Sequence, residues 1–265
     1  MMPRQLPPWP WPRVLAHRGG GTLAPENTLG AIRYGHSLGF RAVEFDAMLP
    51  ADDVAILMHD PTLLRTTGQP GDVLARRAAE LAQLDAGAWH SARYAGERVP
   101  LLESALQLCR ELDIWANVEI KPVPGQEART GRAVALEVAR IYADAMASDA
   151  AGAVGLPDVR LPLFSSFATD ALIAARAAVP GIARGWLIDR VPPDWERMMG
   201  RLGCVSLHTN HKHLDAASAQ AIKRAGYWLF CYTVNTPQRA REILSWGVDA
   251  FCTDRLDLIG ADFAA

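Results

Sequence analysis

Short apolar or β-branched runs recur along the chain, and most are followed by a longer stretch with apolar residues at helical spacing. The runs at Val14–His17, Ala42–Ala47, Trp115–Ile120, Leu163–Phe167, Arg184–Ile188, Val205–Leu207, Trp228–Thr233 and Ala250–Thr253 read as strands. The amphipathic stretches Thr28–Leu38, Leu102–Leu112, Thr130–Ala145, Ala168–Ala178, Asp215–Arg224 and Gln238–Trp246 read as helices. Such alternation implies parallel βαβ units. Eight strands in 265 residues suit an α/β fold of the TIM type, a (β/α)₈ barrel, while a doubly wound open sheet satisfies the same periodicity.

One interval breaks the rhythm. Pro61 to Pro100 is too long for an ordinary strand-to-helix loop. Val54–Met58 reads as an extra strand hairpinned with Ala42–Ala47, and Ala75–Leu84 reads as a helix. The expectation is one barrel domain over residues 1–265, with a small insertion after the second strand, about 61–100, over the barrel mouth. Ala147–Pro162, rich in Ala, Gly and Asp, reads as a flexible loop.

Composition narrows the class. The chain is 50% hydrophobic with a net charge of −2, so no overall field draws it to nucleic acid or an anionic membrane. An anionic small molecule has to be met by a local cationic site. Cys109, Cys204, Cys231 and Cys252 are far apart, form no C-x-x-C pair, and read as reduced, buried thiols. Met1–Pro12 carries prolines and tryptophans but no apolar core of a signal peptide, and no run is long enough to cross a bilayer, so the expected location is the cytoplasm. Those prolines and tryptophans suit packing on the barrel's base or on a second subunit, and oligomeric state is not legible.

The chemistry begins at Val43-Glu44-Phe45-Asp46-Ala47, where alternation turns Glu44 and Asp46 to one face of a strand. Paired carboxylates repel, and a hard divalent cation relieves that cost. The plain alternative is a solvated strand face. In Asn117-Val118-Glu119-Ile120-Lys121, Glu119 and Lys121 share a face likewise, either as a local ion pair or as a third metal ligand and a phosphate-binding cation. Strand C-termini of a parallel barrel converge, which brings Glu119 toward Glu44 and Asp46. His17-Arg18 before Gly19-Gly20-Gly21 suits an anion gripped by guanidinium at a sharp turn. His17 and His59, both at strand ends, are candidates for an acid–base pair, against the plainer readings of a core imidazole and a capped turn. His208, His211 and His213 fall in a strand-to-helix loop, and three imidazoles would suit zinc more than an oxygen-rich site, so they are not read as a metal site, although His208 can line the pocket; His36 and His90 read as surface or packing residues.

His17-Arg18-Gly19, Pro25-Glu26-Asn27-Thr28, Glu44-x-Asp46, His59-Asp60 and Glu119-x-Lys121, in this order, resemble the glycerophosphodiester phosphodiesterase family, closest to its bacterial cytosolic members. Ser165-Ser166-Phe167, Tyr232-Thr233-Val234-Asn235 and Cys252-Thr253-Asp254 extend the resemblance to about Val14–Gly260. It implies a TIM barrel with a small insertion and one Mg²⁺ or Ca²⁺ (Mn²⁺ also suits) held by Glu44, Asp46 and Glu119. It further implies acid–base catalysis by His17 and His59, and phosphate binding by Arg18 and Lys121. The implied activity is hydrolysis of glycerophosphocholine, glycerophosphoethanolamine or glycerophosphoglycerol to glycerol 3-phosphate and an alcohol. Two departures stand out: Asp52-Asp53 where the family often has Asp-Gly, and Tyr232 where many members have Trp. A lysophospholipase D-type lipid phosphodiesterase and a non-catalytic phospholigand-binding barrel are the alternatives.

Overall fold

A computed structural model describes residues 6–147 and 157–263. It contains β1 (Val14–Ala16), β2 (Ala42–Met48), β3 (Ile56–Leu57), β4 (Trp115–Ile120), β5 (Leu163–Ser166), β6 (Arg184–Ile188), β7 (Ser206–Asn210), β8 (Trp228–Tyr232) and β9 (Ala250–Thr253). All but β3 pair in parallel, and the sheet closes on itself through β1, whose Ala16 meets Val43 of β2. The open-sheet alternative is thereby excluded. β3 lies outside the ring, antiparallel to β2, with Ala47 opposite Leu57 and Met48 opposite Ile56.

Burial on both faces explains the near-continuous apolar strands. Outward Val43, Phe45 and Ala47 of β2 join Leu102, Ala105, Leu106 and Cys109 of the helix Leu102–Glu111 in the main core. Inward Leu15, Ala42, Phe230, Ala250 and Cys252 form an apolar layer inside the barrel. The base is closed by indoles from the N-terminal segment: Trp11 stacks on Trp115 at 4.4 Å, and Trp9 meets Trp228 edge-on at 5.5 Å. Trp11 donates to the Val159 carbonyl at 2.9 Å and Trp228 to that of Pro7 at 2.8 Å, so these large rings are buried with their N–H groups satisfied.

The interval after β2 carries its own small core of Met48, Ile56, Met58, Leu63, Val73, Ala78, Leu81, Ala86 and Val99. Here the expected helix Ala75–Leu84 is corrected to a 3₁₀ turn at Val73–Ala75 and a single α-turn at Ala78–Leu81, the segment burying only Val73, Ala78 and Leu81. The expected strand Val54–Met58 shortens to two residues. Val205–Leu207 becomes Ser206–Asn210, whose polar residues hide a strand that runs on past the apolar ones. A helix at Trp195–Leu202 escapes the sequence because Gly200 interrupts it and only Met199 and Leu202 are buried. The stretch read as Thr130–Ala145 is two helices, Glu127–Ile141 and Ala143–Ala147. Most of the loop expected at Ala147–Pro162 lies outside the described residues. No helix among the described residues is long and apolar enough to cross a membrane.

The helices Glu127–Ile141 and Thr169–Ala178 meet closely at Gly131, where a Cβ would lie 2.1 Å from the Ala171 carbonyl oxygen. Both sides of that contact are backbone, so relief requires the helices to move apart. Gly131→Ala is expected to destabilise the chain by about 1–3 kcal/mol despite alanine's better helix propensity. Denaturant unfolding checks this, and unchanged stability would refute the close-approach account.

Candidate active site

The carboxylates come together at the C-terminal mouth of the ring. Asp46 of β2 lies directly opposite Glu119 of β4, and Glu44 opposite Asn117, one inward step lower. Glu44, Asp46 and Glu119 are all buried, and each offers an oxygen within 4.8 Å of the others. Burial first, and the neighbouring Asp46 second, push Glu44 up to about 7 and Glu119 up to about 8. Burial acts on Asp46 too, but Lys121 and Arg18 outweigh it and hold this carboxyl below its usual range. Three oxygen donors that resist joint ionisation fit a hard divalent cation, whose charge would remove the repulsion.

The cations of the site already lean on this cluster. Lys121 Nζ is 3.4 Å from Asp46 Oδ1 and 3.2 Å from Glu119 Oε1. Arg18 Nε is 3.4 Å from Asp46 Oδ2, and the Arg18 backbone N–H donates to Glu44 Oε2 at 3.2 Å. To reach these partners Arg18 takes φ +50°, in the left-handed region that costs a non-glycine residue roughly 1 kcal/mol or more. The turn then passes through Gly21 at φ +57°, where a Cβ would lie 2.2 Å from the Asp254 carbonyl oxygen. Only glycine allows β1's turn to lie so close to the end of β9.

Each imidazole is anchored through Nδ1. His17 Nδ1 is 2.5 Å from Asp254 Oδ1, and its Nε2 is 3.7 Å from Glu44 Oε2. Burial lowers the His17 pKa, but the bond to Asp254 and the charge of Glu44 raise it further, leaving a net upward shift. Asn235 donates to the other Asp254 oxygen at 2.9 Å. His59 Nδ1 is 2.7 Å from Asp60 Oδ1. Burial and the Arg18 and Lys121 charges lower the His59 pKa beyond what Asp46 and Asp60 restore. Arg65's bond holds Asp60 down to about 2, so Asp60 stays an acceptor for the His59 Nδ1–H.

Several residues of this network were unassigned in the sequence. Arg65, on the one-turn helix Leu64–Thr67 of the insertion, donates to Glu26 at 2.6 and 2.7 Å and to Asp60 at 2.5 Å. Glu26 in turn accepts from Arg18 Nη1 at 2.8 Å. Arg65 therefore ties the holder of His59 to the holder of Arg18. Asn27 donates to Asp46 Oδ2 at 2.9 Å and accepts from the Asp46 N–H at 3.1 Å, while Thr28 caps the helix Leu29–Ser37. The Pro25–Thr28 and His59–Asp60 motifs carried part of this signal; nothing local marked Arg65.

The other histidines lie apart from the site. His208 is buried inside the barrel, stacked on Phe230 at 4.6 Å, both ring nitrogens without a hydrogen-bond partner, and burial pushes its pKa down to about 3. It backs the pocket wall formed by Phe230 and does not line the pocket itself. His213 pairs with Asp189 at 3.5 Å, and His90 meets the Thr22 carbonyl at 3.1 Å. At the two departures from the family pattern, Asp53 adopts φ +59° and so supplies the turn without glycine. Tyr232 donates to the Ile188 carbonyl at 2.9 Å and meets Phe167 edge-on at 5.7 Å.

Residues 17–258 match the Glycerophosphoryl diester phosphodiesterase family. A glycerophosphodiester phosphodiesterase of Caldanaerobacter subterraneus subsp. tengcongensis is 29% identical over 245 residues, covering 91% of this chain and 93% of its own length. Among solved structures, an Oleispira antarctica phosphodiesterase in complex with the product sn-glycerol-3-phosphate is 34% identical with a TM-score of 0.81, covering 92% of this chain and 93% of that one. A glycerophosphodiester phosphodiesterase from Agrobacterium tumefaciens is 25% identical with a TM-score of 0.73, covering 92% and 97%. With a family match that begins at His17 and spans β2 to β9, including both strands that carry the carboxylate cluster, this chain belongs to the glycerophosphoryl diester phosphodiesterase family and is a phosphodiesterase of that class.

Proposed function

We propose that the chain hydrolyses glycerophosphodiesters, such as glycerophosphocholine, glycerophosphoethanolamine and glycerophosphoglycerol, to glycerol 3-phosphate and an alcohol. The observation that carries this is the barrel mouth, where three buried carboxylates from two strands lie near two imidazoles, each held at Nδ1 by its own carboxylate; His17 Nε2 is 3.7 Å from Glu44, and the charge of Asp46 acts on His59. The product named in the Oleispira relative's structure supports the same substrate class. Glu44, Asp46 and Glu119 would hold one divalent cation, Mg²⁺, Ca²⁺ or Mn²⁺, which when bound supplies positive charge to the phosphoryl oxygens. Cys109, Cys204, Cys231 and Cys252 are buried and form no disulfide, which is consistent with a reducing, cytoplasmic location.

The protein's own groups do the rest. Arg18 and Lys121 bind the phosphate and offset the charge that grows on it in the transition state. Asp254 and Asp60 fix the histidine tautomers, so that Nε2 of each ring is free to accept or give a proton. One imidazole takes the proton of the glycerol 2-hydroxyl as that oxygen bonds to phosphorus. The other protonates the departing alcohol oxygen as its bond to phosphorus breaks. Water then opens the cyclic diester with the proton roles reversed.

The assay is release of glycerol 3-phosphate from glycerophosphocholine. His17→Ala and His59→Ala are each expected to lower kcat by about 10²-fold or more; near wild-type turnover in either would remove that residue from the acid–base pair. Faster turnover of lysophosphatidylcholine than of glycerophosphocholine would move the chain to the lysophospholipase D reading.

Metal dependence and pH are linked through the carboxyls. A chelator is expected to abolish turnover, with Mg²⁺, Mn²⁺ or Ca²⁺ restoring it. The folded-state values of Glu44, about 7, and Glu119, about 8, lie above the ordinary carboxyl range, so at pH 6 the empty pocket holds protons that a cation must displace. Cation affinity is expected to rise between pH 6 and 8, by up to about tenfold per pH unit for each proton released, and to level off above that window. Calorimetric titration in buffers of different ionisation enthalpy reads the proton release directly. An affinity that is flat over pH 6–8 would contradict the ligand assignment.

Arg65 acts through its partners and is a positioning residue. Arg65→Ala frees Asp60 and Glu26 at once, and is expected to reduce kcat about tenfold or more with a smaller change in KM. Arg65→Lys cannot make the fork to Glu26 together with the bond to Asp60, so it is expected to rescue little. Full activity in Arg65→Lys would mean that charge alone is needed.

A further inference from the structure

Two cavities open at the barrel mouth on either side of Phe167. The central one, about 40 Å³, is bordered by His17, Glu44, Asn117, Glu119, Ser165 and Tyr232 among others. Asn117 and Ser165 are buried, and Asn117 Oδ1 and Ser165 Oγ have no hydrogen-bond partner. The outer one, about 280 Å³, runs along Lys121, Pro122, Pro124, Glu127, Phe167 and Ala168. Glu119 and Phe167 border both. A phosphate held beside Lys121 and the carboxylate cluster sits at their junction, and a diester's two arms have to leave it in different directions.

We propose that the outer cavity seats the leaving alcohol and that it selects a compact cationic amino alcohol, of the choline or ethanolamine kind; this rests on the hydrolytic function proposed above. The division of the two arms follows from polarity and access. A glycerol arm brings hydroxyls, and the central cavity has buried polar atoms without partners to meet them. The alcohol must depart after its bond to phosphorus breaks. The water that opens the cyclic diester then attacks from the side the alcohol vacated, its proton passing to the imidazole that had protonated that alcohol. The departing side therefore has to be open to solvent, and the wide outer cavity is.

The walls set the chemical class. Pro122, Pro124, Phe167 and Ala168 offer apolar surface suited to the methyl or methylene groups around an ammonium. Phe167 is 48% exposed, its ring set edge-on to Tyr232, and an ammonium is drawn to such a ring. Glu127 supplies the countercharge. Its Oε1 accepts the Gly125 N–H at 3.0 Å, and among the described residues its carboxylate has no ion-pair partner. Lys121, the cation of the same cavity, faces Asp46 and Glu119, and in the substrate complex its charge is met by the phosphate it binds.

The experiment compares kcat/KM for glycerophosphocholine, glycerophosphoethanolamine and the neutral-headed glycerophosphoglycerol in the metal-loaded protein. The wild-type chain is expected to favour the two cationic esters by about threefold to tenfold. In Glu127→Gln, which keeps an acceptor for Gly125, the preference is expected to shrink toward unity; in Glu127→Lys it is expected to invert. Phe167→Leu, which keeps the apolar bulk and loses the ring, is expected to reduce it by a smaller factor. Equal turnover of all three esters by the wild-type chain, or a preference that survives Glu127→Lys, overturns this inference and leaves the hydrolytic reading standing. Failure to release glycerol 3-phosphate from any of the three overturns both.

Discussion

Mutual repulsion among Glu44, Asp46 and Glu119, buried with oxygens within 4.8 Å of one another, is the constraint around which the mouth of this barrel is arranged. Removing one carboxylate from water costs several kcal/mol unless it is paired, and gathering three adds like-charge repulsion. The surrounding residues answer that cost in kind. Lys121 and Arg18 lean onto Asp46, Asn27 binds it through both its amide oxygen and nitrogen, and the Arg18 N–H meets Glu44. Even so, two of the three are driven toward their neutral forms. A site strained in this way is poised for a divalent cation, and the same ion would free Lys121 and Arg18 to turn toward a phosphate.

A second ring of contacts gives this cluster its geometry. Arg18 is held by Glu26, His59 by Asp60, and both holders by Arg65. Asp254 does for His17 what Asp60 does for His59, with Asn235 fixing Asp254 from behind. The two imidazoles therefore depend on different parts of the chain, one on the closing strand β9 and its loop, the other on the insertion. The insertion is more than a cover: its own apolar core around Leu63, Val73 and Leu81 gives Arg65 a fixed base from which to reach two carboxylates.

What the sequence disclosed follows from how local each signal is. Two carboxylates two residues apart on a strand, as in Glu44-x-Asp46, fix their shared face by alternation alone, and barrel convergence brings Glu119 to them. Strands buried on both faces announce themselves as apolar runs, which is why the strand count and order were readable. β7 is only partly legible because Ser206, His208 and Asn210 are polar residues in a strand, and His208 lies hidden behind Phe230 with neither nitrogen bonded. The insertion's helical pattern is long enough to suggest ten residues, yet only a turn's worth of them form a helix, because so few are buried. Arg65 was invisible for another reason: its meaning lies in two carboxylates 5 and 39 residues away, and no spacing rule joins them.

The two ends of the barrel divide the work of handling water. At the base, Trp9, Trp11, Trp115 and Trp228 close the ring, and above them lies the apolar layer of Leu15, Ala42, Phe230, Ala250 and Cys252. That apolar layer raises the cost of each buried charge at the mouth, and by the same physics strengthens each attraction there. A solvated barrel floor would let the carboxylates ionise independently and weaken their hold on any cation. The N-terminal tryptophans, at the end opposite the carboxylate cluster, thus help set the electrostatics of that cluster by closing the barrel beneath it with apolar surface.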